Sequence, residues 1–163
     1  MSNQQWLNLG VDEQIVSSLI KRGIKTPFPI QSLTIPDALR GNDVCGKAKT
    51  GSGKTLAFGI PMVQNLDQSS GNNNPRGLIM VPTRELATQV KEELDLLLNG
   101  KSMAAVAIYG GANIEEQIKA IKRGTDIIVA TPGRMIDLLE REEISLQSLE
   151  MVVLDLSLIH ISE

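Results

Sequence analysis

The segment Ala48-Lys49-Thr50-Gly51-Ser52-Gly53-Lys54-Thr55 limits the fold more than any other, because it follows a strand pattern and opens a helical one. Glycines let successive backbone N–H groups turn inward on phosphate oxygens, and a helix N-terminus adds positive partial charge. Lys54 has the reach for the β- and γ-phosphates of a nucleotide triphosphate, and the Thr55 hydroxyl suits a Mg2+ ligand. A plain strand-to-helix turn would account for the glycines, but not for Gly-Lys-Thr with those flanks. The general phosphate-loop pattern places glycine at position 48, where this chain has alanine.

Apolar periodicity extends the same architecture. Short apolar runs at 43–48, 77–81, 104–109, 126–130 and 151–155 read as strands. Leu86, Val90, Leu94 and Leu97 share one helical face, as do Ile114, Ile118 and Ile121 before Gly124. A first helix is expected over 12–22, with Asp12 as its cap, Ile15, Val16, Leu19 and Ile20 as its stripe and Gly23 as its stop. Pro27, Pro29 and Pro36 punctuate the stretch after it, and 67–76 reads as an exposed loop. Strands alternating with helices predict a parallel sheet covered on both sides, with ligands beyond the carboxyl ends of its strands.

Composition narrows the class. The 163 residues suit one domain, and 42% apolar with 21% charged residues allows a packed core. No run approaches the roughly 18 apolar residues of a membrane span, and 1–5 lack signal-peptide features. The single cysteine, Cys45, excludes an internal disulfide and suits a reducing cytoplasm; its strand position predicts a small buried hydrophobe. With a net charge of −3, contact with nucleic acid has to come from local groups. Glu140, Glu142 and Glu143 read as a solvated helix end.

Ala-x-Thr-Gly-Ser-Gly-Lys-Thr resembles the first motif of the DEAD-box RNA helicases, and the resemblance extends both ways from it. Upstream, Gly23 to Gln31 is similar to that family's adenine-reading Q motif, with Trp6 at the isolated aromatic position where Phe is more usual. Gln31 could donate to and accept from an adenine edge, and an indole face could pack on the purine. Taken singly, Trp6 could equally be a buried anchor and Gln31 a helix-capping side chain. Downstream, Pro82-Thr83-Arg84-Glu85-Leu86-Ala87-Thr88-Gln89, Gly110-Gly111 and Thr131-Pro132-Gly133-Arg134 match the family's next motifs, each where a strand hands over to a helix. The resemblance implies a RecA-like P-loop NTPase domain and two ligands, Mg-ATP and RNA. Trp6, Thr26, Gln31, Thr50, Gly51, Ser52, Gly53, Lys54 and Thr55 would bind ATP. Pro82, Thr83, Arg84, Gly110, Gly111, Thr131, Pro132, Gly133 and Arg134 would grip RNA through its backbone, without reading bases.

The family's Asp-Glu-Ala-Asp motif is met by Asp155 alone, followed by Leu156-Ser157-Leu158. Asp155 is expected to hold Mg2+ together with Thr55, and Lys54 and Asp155 are the expected catalytic pair. Leu156 offers no acceptor where the glutamate would orient the attacking water. The resemblance thus divides the chain into a partial helicase domain over 1–155, with its Q motif at 6–31, and a tail over 156–163. That tail, which contains His160, is similar to a one-frame translation of a transposon-end sequencing adapter. A chain of this composition is expected to be catalytically silent, although its parent would be an ATP-dependent RNA helicase. A P-loop kinase, a DNA-directed ATPase or a non-catalytic nucleotide-binding module would share the phosphate loop, but not the ordered motifs around it.

Overall fold

The computed structural model describes residues 2–48, 53–66 and 74–155. They fall into two compact units, divided between residues 67 and 68. The first unit carries helices α1 (Ser2–Asn8), α2 (Glu13–Lys21), α3 (Pro29–Leu39) and α4 (Lys54–Asn65). α2 matches the expected helix: Ile15, Val16 and Leu19 are buried, and Gly23 with φ +81° follows its end. Asp12 stands at the cap position without a side-chain capping bond. Its backbone N–H instead donates to Gln64 Oε1 of α4 at 2.9 Å, and Gln64 Nε2 donates to Gly10 O at 2.9 Å. One amide thus ties the α1–α2 turn to α4.

α3 occupies the stretch that its prolines appeared to punctuate. Pro29 lies in the first turn, where its missing N–H costs nothing, and Pro36 is accommodated inside the helix. The expected strand over 43–48 does not form. That segment has no strand pairing, 43–47 are exposed, and Cys45 is exposed rather than buried. An extended segment is held by ladder bonds to a neighbouring strand, and no described residue supplies them here.

The second unit holds the other four expected strands, β1 (Gly77–Met80), β2 (Ala105–Ile108), β3 (Ile127–Ala130) and β4 (Met151–Leu154). They form a parallel sheet in the order β2-β3-β1-β4. Helices α5 (Arg84–Leu98), α6 (Ile114–Lys122) and α7 (Pro132–Glu140) connect them. Val90, Leu94 and Leu97 of α5 and Ile118 and Ile121 of α6 are buried, as their spacing predicts. β3 is buried along its whole length, as an inner strand of a covered parallel sheet should be. β4 differs: among the described residues it pairs with β1 only, and Val152 and Leu154 on one face are 53% and 65% exposed. Of the expected loop over 67–76, residues 67–73 lie outside the described part. Arg76 is buried, not exposed, with its guanidinium on Glu150 beside the start of β4. Glu140 and Glu142 are exposed and Glu143 pairs with Lys122 at 3.2 Å, in keeping with a solvated helix end. Among the described residues, no helix is long and apolar enough to cross a membrane.

Candidate functional site

Gly53 sits immediately before α4 in the left-handed region, φ 80° and ψ 22°, and its carbonyl accepts the helix's first bond from Ala57 N–H at 3.2 Å. Lys54 and Thr55 therefore stand in the first turn of α4, partly exposed, at the helix end that favours anions. Thr50, Gly51 and Ser52, expected to complete the phosphate loop, lie outside the described residues, as does Leu156.

Gln31 meets this loop end from behind. Its side chain is buried, with Oε1 accepting from Phe28 N–H at 2.8 Å and Nε2 donating to Gly53 O at 2.9 Å. The first bond caps α3 and the second joins α3 to the phosphate loop. Space at Gly53 is correspondingly closed: a Cβ there would overlap Gln31 Nε2 and lie 2.7 Å from Phe28 Cδ2. Gln31 thus faces inward, with one N–H and one lone pair beyond these two bonds. Trp6 departs from the adenine-stacking expectation. It is completely buried and its indole N–H donates to Ile24 O at 3.3 Å, so neither ring face is open to a purine. The indole anchors the turn that leads into Gln31, while Thr26 on that turn is exposed.

In the second unit, the sheet register aligns the remaining candidates. Ile108, Ala130, Met80 and Leu154 end the four strands at one level. The next step is also bonded across: Thr131 N–H to Ile108 O, Val81 N–H to Ala130 O and Asp155 N–H to Met80 O, each 2.9 Å. Beyond that level, the turns carrying Gly110 and Gly111, Thr131 to Arg134, and Pro82 to Arg84 lie side by side in the strand order β2, β3, β1. Thr83 caps α5 through Oγ1, which accepts from Leu86 N–H at 3.2 Å; Thr131 makes no such capping bond on α7.

Arg84 reaches past the end of β3 to lie over the Tyr109 ring, 5.3 Å from its centroid. A Cβ on Gly111, whose φ is +80°, would come within 3.2 Å of Arg84 Nη1. Arg134 points into the glycine turn: Nη1 and Nη2 both donate to Ala112 O at 3.3 Å, and Nη1 also donates to Gln117 Oε1 at 3.1 Å. Gln117 Nε2 in turn donates to Tyr109 O at 3.0 Å. Neither Tyr109 nor Gln117 was singled out by the sequence, since neither lies in a recognisable motif. Asp155, 5% exposed, follows β4 at the same end of the sheet. On the surface, a hydrogen bond from Arg40 holds the Asp37 carboxyl below its usual range, and one to Asp137 raises Arg141.

The chain has relatives among known proteins. The chain is 47% identical over 146 residues to the ATP-dependent RNA helicase CshA of Listeria monocytogenes, covering 90% of this chain and 28% of the relative. Its structure is similar to the ADP-bound RNA helicase Prp28 of Chaetomium thermophilum, with a TM-score of 0.84 and 37% identity over 90% of this chain and 37% of that one. It is also similar to the yeast DEAD-box splicing factor Prp28, with a TM-score of 0.82 and 34% identity over 91% of this chain and 37% of that one. The chain therefore spans well under half the length of these relatives. The DEAD/DEAH box helicase family matches residues 28–155, which begins at Phe28 beside Gln31 and ends at the buried Asp155. By its parallel sheet, its strand-end motifs and that match, the chain belongs to the DEAD/DEAH box helicase family.

Proposed function

We propose that this chain is part of a cytoplasmic ATP-dependent RNA helicase. In this reading residues 48–55 take the phosphates of ATP, and the sheet-end turns of the second unit take the sugar-phosphate backbone of single-stranded RNA. The observation that carries it is the alignment of 82–84, 110–111 and 131–134 at one level beyond three adjacent strand ends. These turns offer backbone N–H groups, glycines with no side chain in the way, and two arginines, which is chemistry for phosphates and not for base edges. The names of the relatives, which include an ATP-dependent RNA helicase and an ADP-bound RNA helicase, support the same ligands.

Lys54 and the first-turn amides of α4 hold phosphate charge. Thr55 and the buried carboxylate of Asp155 are hard oxygen donors, the type that Mg2+ takes. When bound, Mg2+ neutralises charge on the phosphates. Gln31 supports the loop through Gly53, and its place in the Q motif is what assigns it to an adenine edge. Leu156 supplies no acceptor for orienting water, so the 163-residue chain turns over no ATP by itself; losing a positioning group of this kind lowers rates about 10³-fold or more. The exposed Cys45 is compatible with the reducing cytoplasm.

The test is a pair of titrations on the purified chain, with phosphate release followed in parallel. ATP should bind more tightly than GTP, and Gln31→Ala should narrow that difference. Labelled oligouridylate and oligoadenylate should bind weakly and alike, with affinity falling as salt rises; Arg84→Ala should lower the salt slope by about one phosphate contact. Phosphate release should stay at background with Mg-ATP and RNA. Equal affinity for ATP and GTP would remove the adenine assignment, a tight complex with one RNA sequence would remove the backbone-only reading, and Lys54-dependent turnover would remove the claim of silence.

A further inference from the structure

We propose that Gln117, which lies outside every motif named above, is a positioning residue for the RNA-binding face. Its buried amide ties the 109–112 turn to Arg134 and thereby sets three strand-end segments in the arrangement that meets a phosphate backbone. The proposal rests on the RNA reading of this face.

Gln117 lies on the buried side of α6 beside Ile118 and Ile121, where an apolar residue would pack as well; it is nonetheless polar and only 8% exposed. Both ends of its amide are occupied. Nε2 donates to Tyr109 O at 3.0 Å and Oε1 accepts from Arg134 Nη1 at 3.1 Å. The amide therefore joins the turn that follows β2 to the helix that follows β3. Arg134 closes the other side by donating from both Nη atoms to Ala112 O at 3.3 Å. The Tyr109 backbone, fixed by Gln117, carries the ring over which Arg84 lies at 5.3 Å. One side chain thus links the two arginines without touching the surface they share.

Unheld, Arg134 would sample many rotamers, and ordering it on RNA would cost affinity. Held by Gln117 and Ala112, it keeps its Nε–H and one Nη2–H for a ligand in a fixed place. If the role were only to satisfy α6 packing, removing the amide would lower stability and leave RNA affinity unchanged below the melting transition.

The experiment measures binding of fluorescein-labelled oligouridylate by the full 163-residue chain at low salt, well below the unfolding midpoint, with thermal unfolding recorded for every variant. Gln117→Met should weaken binding by about three- to tenfold, as expected for two lost hydrogen bonds. Arg134→Met should also weaken it, and the double variant should be within about twofold of Arg134→Met alone, because both changes remove one coupled unit. Should the methionine variant fail to fold, Gln117→Asn keeps the amide but is one methylene too short to span both partners; the same loss is expected. A lowered melting point with unchanged affinity would overturn the proposal, and so would losses that multiply independently in the double variant. Arg84→Ala separates the two readings. If it weakens binding and Gln117→Met does not, this inference fails and the RNA face stands. If the unaltered chain binds no oligouridylate, or if Arg84→Ala changes nothing, the RNA face fails and the proposal falls with it.

Discussion

At Gly53 two demands meet: a backbone in the left-handed region and no room for a β-carbon between Gln31 and Phe28. A side chain there bears conformational strain and overlap together. Gly53→Ala should therefore lower stability by about 1–3 kcal/mol. Adding Gln31→Ala removes the overlap at Nε2 but not the strain, so the double variant should lose less than the sum of the two single losses. Urea unfolding of the four proteins decides this, and strict additivity would contradict the contact. The same residues show what a lone sequence can convey about a side chain. The motif around Gln31 gives the expectation of a nucleotide contact, yet the direction of its amide depends on Gly53, 22 residues away. Trp6 was readable as an aromatic at a meaningful spacing, but whether its ring faces a purine or the core depends on how α1 and the Ile24 turn close around it. Gln117 carried no signal, because one polar residue in an amphipathic helix looks like any surface position until its two partners are known.

Among the elements, periodicity reads well where burial is one-sided or complete. The strands β1 to β4 and the faces of α5 and α6 follow from runs and spacings of Val, Ile and Leu. α3 escaped because prolines at 27, 29 and 36 signal interruption, whereas Pro29 in fact initiates the helix. The segment 43–48 shows the converse: an apolar strand pattern without a described ladder partner. α5 illustrates a single residue placed in both element and proposed site, since Thr83 caps the helix and lies among the turns proposed to take RNA. Thr83→Ala should cost about 1 kcal/mol of stability, and Thr83→Ser should restore most of it, because serine keeps the capping oxygen. Denaturant midpoints measure both. An alanine variant as stable as the unaltered chain would show that the cap contributes nothing.

For the molecule as a whole, the sheet's end strand β4 has a practical outcome. Among the described residues β4 has a strand partner on one side only, and Val152 and Leu154 form an exposed apolar strip along it. Such an edge is a template on which another extended chain can grow. Concentrated solutions of the purified chain should accordingly thicken with time, with a lag that shortens when preformed aggregate is added. Leu154→Lys should lengthen the lag by placing a charge on the strip. Light scattering over a concentration series gives the measurement, and a chain that stays monomeric throughout would contradict it. Storage and assay of this protein then become a matter of nucleation kinetics: dilute, cold and freshly filtered samples should report binding, and aged ones growth from β4.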